Sequence, residues 1–154
     1  MSRQERTVGT VDTSALRVNQ GLIVGLVLLA FVLGGAAGIW LVAIVAVSLA
    51  IGAAIPGRGP FQLLYRHVLR PAGWVRPRPE PGEAAPHRFA QTLGAAFLAA
   101  AFVALAAGAD VVGWTLAAIV VALALVNLVF GFCAGCFAFL HLRRLWRATA
   151  GSTL

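Results

Sequence analysis

The sequence has no lysine, five acidic residues, one tyrosine, one methionine and two cysteines in 154 residues. Charged residues are 11% of the chain, where a soluble domain carries roughly 25%. Hydrophobic residues make up 60%, and the mean hydropathy is +0.90. A small chain buries only about two-thirds of the surface it exposes, so no water-soluble core can hide this much apolar area. The scarcity of charge excludes an ordinary soluble enzyme and a disordered tail. Two cysteines exclude a disulfide-stapled secreted mini-protein. The length excludes a large transporter built from repeated halves. A small integral membrane protein remains.

All twelve basic residues are arginines, giving a net charge of +7. They form three groups: Arg3, Arg6 and Arg17; Arg58, Arg66, Arg70, Arg76, Arg78 and Arg88; and Arg143, Arg144 and Arg147. Long uncharged stretches separate them, which is the pattern of membrane-flanking loops. No nucleic-acid partner is expected.

Residues 21–55 carry no charge. One straight helix of that length would run about 52 Å against about 30 Å of hydrocarbon. The run must fold back, and Gly34-Gly35-Ala36-Ala37-Gly38 supplies the turn. The expected fold is all-α and integral to the membrane, with four transmembrane helices in two hairpins. The helices are read over about 18–34, 38–55, 89–109 and 111–141, with Pro56-Gly57 stopping the second and Asp110 marking a tight turn. Residues 1–17 form an N-terminal tail, 18–142 the membrane domain with a central loop at 56–88, and 143–154 a C-terminal tail. With four spans, both tails and the central loop share one side, and every arginine falls on it. The positive-inside rule makes that side cytoplasmic, in the inner membrane of a bacterial cell. No cleaved signal peptide is expected.

In the central loop Phe61, Leu64, Tyr65, Val68 and Leu69 recur at helical spacing, with Gln62, Arg66 and Arg70 opposite. This predicts a short amphipathic helix in the headgroup plane, touching the lipid bilayer. Residues 71–86 contain five prolines and two glycines and read as extended, polyproline-like chain.

No Asp, Glu, Lys or Arg falls inside the spans, which argues against an ion pump or a carrier of charged substrates. Ser48, Thr92 and Thr115 are expected to bond their own helix carbonyls. Asn127 is expected to link neighbouring helices, because a lone amide in lipid is costly. The small residues Gly94, Ala95, Ala96, Gly113, Ala117 and Ala118 allow helices to approach closely.

The two cysteines stand at C-x-x-C spacing in Gly131-Phe132-Cys133-Ala134-Gly135-Cys136. Helix 4 crosses the bilayer in about 20 residues, which sets the pair at the cytoplasmic interface. On a helix, positions i and i+3 share a face, and the flanking glycines allow the loosening a disulfide needs. The arginines that follow lower a thiol's pKa, whereas a position near a helix C-terminus raises it. Three readings stay open: apolar packing, a redox or persulfide-carrying dithiol, and a soft-metal site. The metal reading lacks ligands, since His67, His87 and His141 stand on other segments or faces. No metal and no cofactor is expected, and no quinone or flavin motif is visible.

Together these stretches resemble the bacterial membrane family known as domain of unknown function 4395. The residues that carry the resemblance are Val11-Asp12, Arg17, Asn19, Gln20 and Gly21; Gly59-Pro60; Leu64-Tyr65-Arg66; Pro86-His87-Arg88-Phe89-Ala90-Gln91; and Gly131-Phe132-Cys133 with Gly135-Cys136. It covers roughly residues 11–142. The resemblance implies an actinobacterial setting beside thioredoxin-like and rhodanese-type proteins, and hence thiol or sulfur chemistry. The Ala-, Arg- and Gly-rich composition suits a GC-rich genome.

The reading is a cytoplasm-facing thiol redox or sulfur-transfer module using Cys133 and Cys136. A soluble thioredoxin-like or rhodanese-type partner would face His87 as proton acceptor and Arg88 as thiolate stabiliser, with Asn127 nearby. The alternatives are a channel or transporter for a soft metal or sulfur species, with the pair as acceptor, and a non-catalytic membrane subunit.

Overall fold

The computed structural model describes residues 10–55, 58–81, 84–131 and 134–150. Its elements are β1 (Thr10–Asp12), α1 (Thr13–Leu33), α2 (Gly35–Ala54), α3 (Pro60–Leu64), a π-helical turn (Tyr65–Leu69), β2 (Pro79–Pro81), α4 (Ala84–Ala106), α5 (Asp110–Phe130) and α6 (Ala134–Ala150). Four helices are long and apolar enough to cross a bilayer: Thr13–Leu33, Gly35–Ala54, Ala85–Ala106 and Asp110–Phe130, with mean hydropathy between 1.9 and 2.4. Leu28, Phe31, Val32, Trp40, Ile44, Val47, Val103 and Val129 are exposed on their outer faces. Apolar residues on the outside as well as the inside are what a lipid solvent selects.

The spans pack in a ring, α1 against α2, α2 against α4, α4 against α5 and α5 against α1. Small and branched side chains fill the centre, among them Ala30, Val42, Val45, Leu98, Ala101 and Ala117, all fully buried. Close approach between helices rests on glycine at two points. A Cβ at Gly38 would collide with the Ala30 carbonyl, and one at Gly113 would stand 3.0 Å from the Ala101 carbonyl. Without a hydrophobic force between helices in lipid, such contacts are what association rests on.

The first turn is tighter than the sequence suggests. Gly34 and Gly35 take φ of 58° and 48°, and α2 starts at Gly35. Gly38 therefore serves the helix crossing and not the turn. The second turn lies at 107–109, with Gly108 at φ 80°. Ser48, Thr92 and Thr115 donate to Ile44, Arg88 and Val111 carbonyls at 2.8, 2.9 and 2.6 Å, as expected of hydroxyls in lipid.

Two features depart from the expectation. The fourth span does not continue to 141. Gly131, at φ 65°, caps α5 in the left-handed conformation, and its N–H bonds the Asn127 carbonyl at 3.0 Å. Glycine takes this conformation without the steric cost a Cβ brings, so the helix ends there. A separate amphipathic helix, α6, then packs on α4, with Phe139 meeting Phe89 at a ring distance of 5.5 Å. The proline-rich segment is extended only in its middle: residues 70–75 form turns and bends, with Gly73 at φ 71°, residues 76–81 are extended, and Ala84, Ala85 and Pro86 already belong to α4. β2 lies antiparallel to β1, Val11 opposite Glu80.

Candidate functional site at the arginine-rich end

Polar contacts collect at the end of the bundle where α1 begins and α5 finishes. Asp12 caps α1, accepting from the Ser14 N–H at 3.0 Å. The same carboxylate accepts from the Arg78 N–H at 3.1 Å and from Tyr65 Oη at 2.8 Å. Thr13 donates through its N–H and hydroxyl to the Arg78 carbonyl, and Ser14 Oγ donates to the Arg76 carbonyl at 2.8 Å. One aspartate thus ties the helix start, the central-loop helix and the proline-rich strand together. Burial pushes its carboxyl up, but the bonds from Tyr65, Arg78, Ser14 and Ala15 outweigh that and hold it below the ordinary value of 3.8. Burial, then the bond to Asp12 and its charge, push the Tyr65 phenol above 10.0, with Arg70 opposing.

The face read as membrane-facing splits in two. Tyr65 is buried and Phe61 packs on the core, whereas Leu64 and Val68 are exposed beside Arg66 and Arg70. The π-helical turn, whose Arg70 N–H reaches back to the Tyr65 carbonyl, shifts the register between the halves.

Beside this clasp runs a groove of about 800 Å³ with Arg17, Arg76 and Arg78 in its walls, reaching Asn127 and Gly131. Below it lies a half-enclosed cavity of about 80 Å³, lined by Asn19, His87 and Gln91 among apolar residues of α1, α2, α4 and α5. Gln20 and Asn127 line both spaces. The structure therefore brings His87 and Asn127 to one cavity. Arg88 goes elsewhere: its Nε donates to the Ala53 carbonyl at 3.0 Å, satisfying an acceptor in the last turn of α2. His67 Nδ1 bonds the Leu63 carbonyl at 3.1 Å and His141 stacks on Phe137. No group of three metal-ligating side chains is found among the described residues. Phe132 and Cys133 lie outside the described residues, as does the side chain of Cys136.

Sequence reasoning missed Arg17, Arg76 and Arg78 as groove residues, and Asn19, Gln20 and Gln91 as cavity residues. A signal for the amides existed. Asn19 is the seventh residue of α1 and Gln91 the eighth of α4, too far inside to be caps. The sequence presents them only as elements of the family pattern.

The family model described as Domain of unknown function (DUF4395) matches residues 11–144. No curated protein and no solved structure matches the chain. The match takes in the clasp, the cavity and all four candidate spans, and the chain belongs to the DUF4395 family, a domain of unknown function.

Proposed function

We propose that the chain is a membrane thiol module whose Cys133 and Cys136 exchange electrons or sulfane sulfur with a soluble thioredoxin-like or rhodanese-type partner. The observation that carries this reading is the break at Gly131, which ends α5 and separates it from α6. In sequence, Cys133 stands just before that helix and Cys136 is its third residue. An unbroken fourth helix would have set the pair near a C-terminus, where the dipole opposes a thiolate. A separate helix after the break at Gly131 offers cysteines in its opening sequence the opposite sign, because a helix N-terminus carries about half a positive charge and lowers a thiol's pKa. Arg17, Arg76 and Arg78 line the groove that reaches Gly131, and positive charge there favours a thiolate.

In the electron-transfer form, one thiolate attacks the partner's disulfide and expels one partner thiolate. The second cysteine then attacks the mixed disulfide, releasing the partner as a dithiol and leaving a Cys133–Cys136 disulfide. Two electrons and two protons pass to the partner. The arginines described at this end, Arg17, Arg76 and Arg78 among them, favour a cytoplasmic orientation in the inner membrane.

The test runs the same exchange in reverse: membranes holding the full chain with Cys133 and Cys136 oxidised are mixed with a thioredoxin whose resolving cysteine is replaced by serine, so that its single thiolate attacks their disulfide and stops at the mixed disulfide. The wild-type protein forms a reductant-sensitive adduct. Cys133→Ser/Cys136→Ser inserts normally and forms none. An adduct surviving in the double variant overturns the proposal.

A further inference from the structure

The cavity between α1, α4 and α5 is built unlike the rest of the bundle. Asn19 is 3% exposed and Gln91 5% exposed. Both line the cavity, and neither Asn19 Nδ2 nor Gln91 Oε1 has a hydrogen-bond partner in the protein. His87 Nε2, in the same wall, is also buried without one. An unsatisfied buried polar atom costs about 1–3 kcal/mol. Three around one small space therefore mark a place kept for something that bonds to them.

The lining restricts what fits. Among the described residues no Asp, Glu or Arg borders the cavity, so an ion would lose its hydration with no opposite charge to replace it. A donor, an acceptor and an imidazole suit an uncharged head with a carbonyl or hydroxyl oxygen. Two further lining residues, Leu93 and Leu123, are 37% and 43% exposed on the outer faces of α4 and α5. The mouth therefore meets the hydrocarbon. Asn19 lies six residues into its span, about 9 Å along the helix axis, near the depth where a lipophile's polar head leaves the acyl region. The enclosed volume of about 80 Å³ is about half the roughly 150 Å³ of a cavity that takes a whole benzene. A space of that size fits the oxygen-bearing edge of a molecule whose body stays in the opening.

We infer that this cavity binds the uncharged oxygen-bearing head of a lipid-dissolved molecule, of the quinone/quinol or long-chain alcohol type. The inference stands whether or not the cysteines cycle.

The test uses the purified full chain in lipid nanodiscs, titrated separately with decyl-benzoquinone, its quinol, dodecanol and dodecane. Saturable binding of a headed probe, with no saturable binding of dodecane, is the expected result. The tightest of the three identifies the source. Asn19→Leu and Gln91→Leu each weaken that binding by about threefold to tenfold. Both raise the melting temperature of the unliganded protein, because each removes an unpaired buried polar atom. A purely structural role for the amides predicts the opposite shift. Ala124→Leu, which fills the cavity without touching a polar group, abolishes binding and keeps the fold. Binding that is absent for every headed probe, as in a cavity holding only water, overturns the inference. So does equal binding of dodecane, or affinity unchanged in all three variants.

Discussion

The two ends of the bundle are made on opposite principles. At the turn end, Gly34 and Gly108 reverse the chain, Phe31 meets Trp114 edge-on at 5.1 Å, and Trp40 tilts against Phe102 at 5.8 Å. The nearby hollow is walled by Val27, Phe31, Trp114 and Val121, all apolar. At the other end stand the Asp12–Tyr65 clasp, the arginine groove and the amide-lined cavity. A bundle held in lipid by close packing has no need of buried amides or of a carboxylate tying three segments together. Their concentration at one end is the reason the proposed chemistry is assigned there.

Each end should fail in its own way. The largest effect is expected at the turn end. Gly38→Val puts a branched side chain into the Ala30 carbonyl and should cost about 3 kcal/mol, the upper range for overpacking. Thermal unfolding in detergent measures this, and the loss should be the same at every pH.

The clasp comes next. Tyr65→Phe removes the bond to Asp12 and should cost about 1–2 kcal/mol, since hydrogen bonds to charged groups run about 1.5–3 and this carboxylate is only partly buried. Loss of stability below about 0.3 kcal/mol in the same unfolding assay would mean the bond adds almost nothing over water.

The clasp should also depend on pH. The folded-state pKa of Asp12 is depressed, so its contribution is present above 3.8 and is lost as pH falls through the lower folded value. Tyr65 is raised, so stability should fall as pH climbs above 10.0, where the unfolded tyrosine ionises first. Asp12→Asn should flatten the acid limb, and Gly38→Val should leave both limbs unchanged.

Arg88→Met is the smallest. It frees the Ala53 carbonyl at the end of α2 and should cost about 0.5–1 kcal/mol. It should leave thiol capture intact, because Arg88 is not among the arginines that line the groove reaching Gly131.

The sequence made the spans legible for a simple reason. An uncharged run of 35 residues, from Gly21 to Ile55, has few ways to satisfy its backbone in lipid, and glycines mark where it turns. Hydroxyl partners at Ser48, Thr92 and Thr115 were equally readable, because those bonds are local. The break at Gly131 was not read, since Phe132 and Phe137 continue the apolar pattern across it. The sign was a glycine after the last periodic residue, the usual residue at a helix C-terminus. The pairing of Thr10–Asp12 with Pro79–Pro81, and the convergence of Asn19, His87, Gln91 and Asn127, join segments far apart in sequence. Periodicity carries no information about such contacts. Only the packing of α1 against α5 and α5 against α4 brings these residues to one cavity.

The central claim is that the arginine-rich end carries a redox-active thiol pair facing the cytoplasm. A membrane-impermeant maleimide, applied to inverted and right-side-out vesicles with and without reductant, tests it most directly. The account predicts labelling of Cys133 or Cys136 in inverted vesicles only, and only after reduction. Thiols that stay unlabelled until detergent is added, with no response to reductant, would contradict it and leave the cysteines as packing residues.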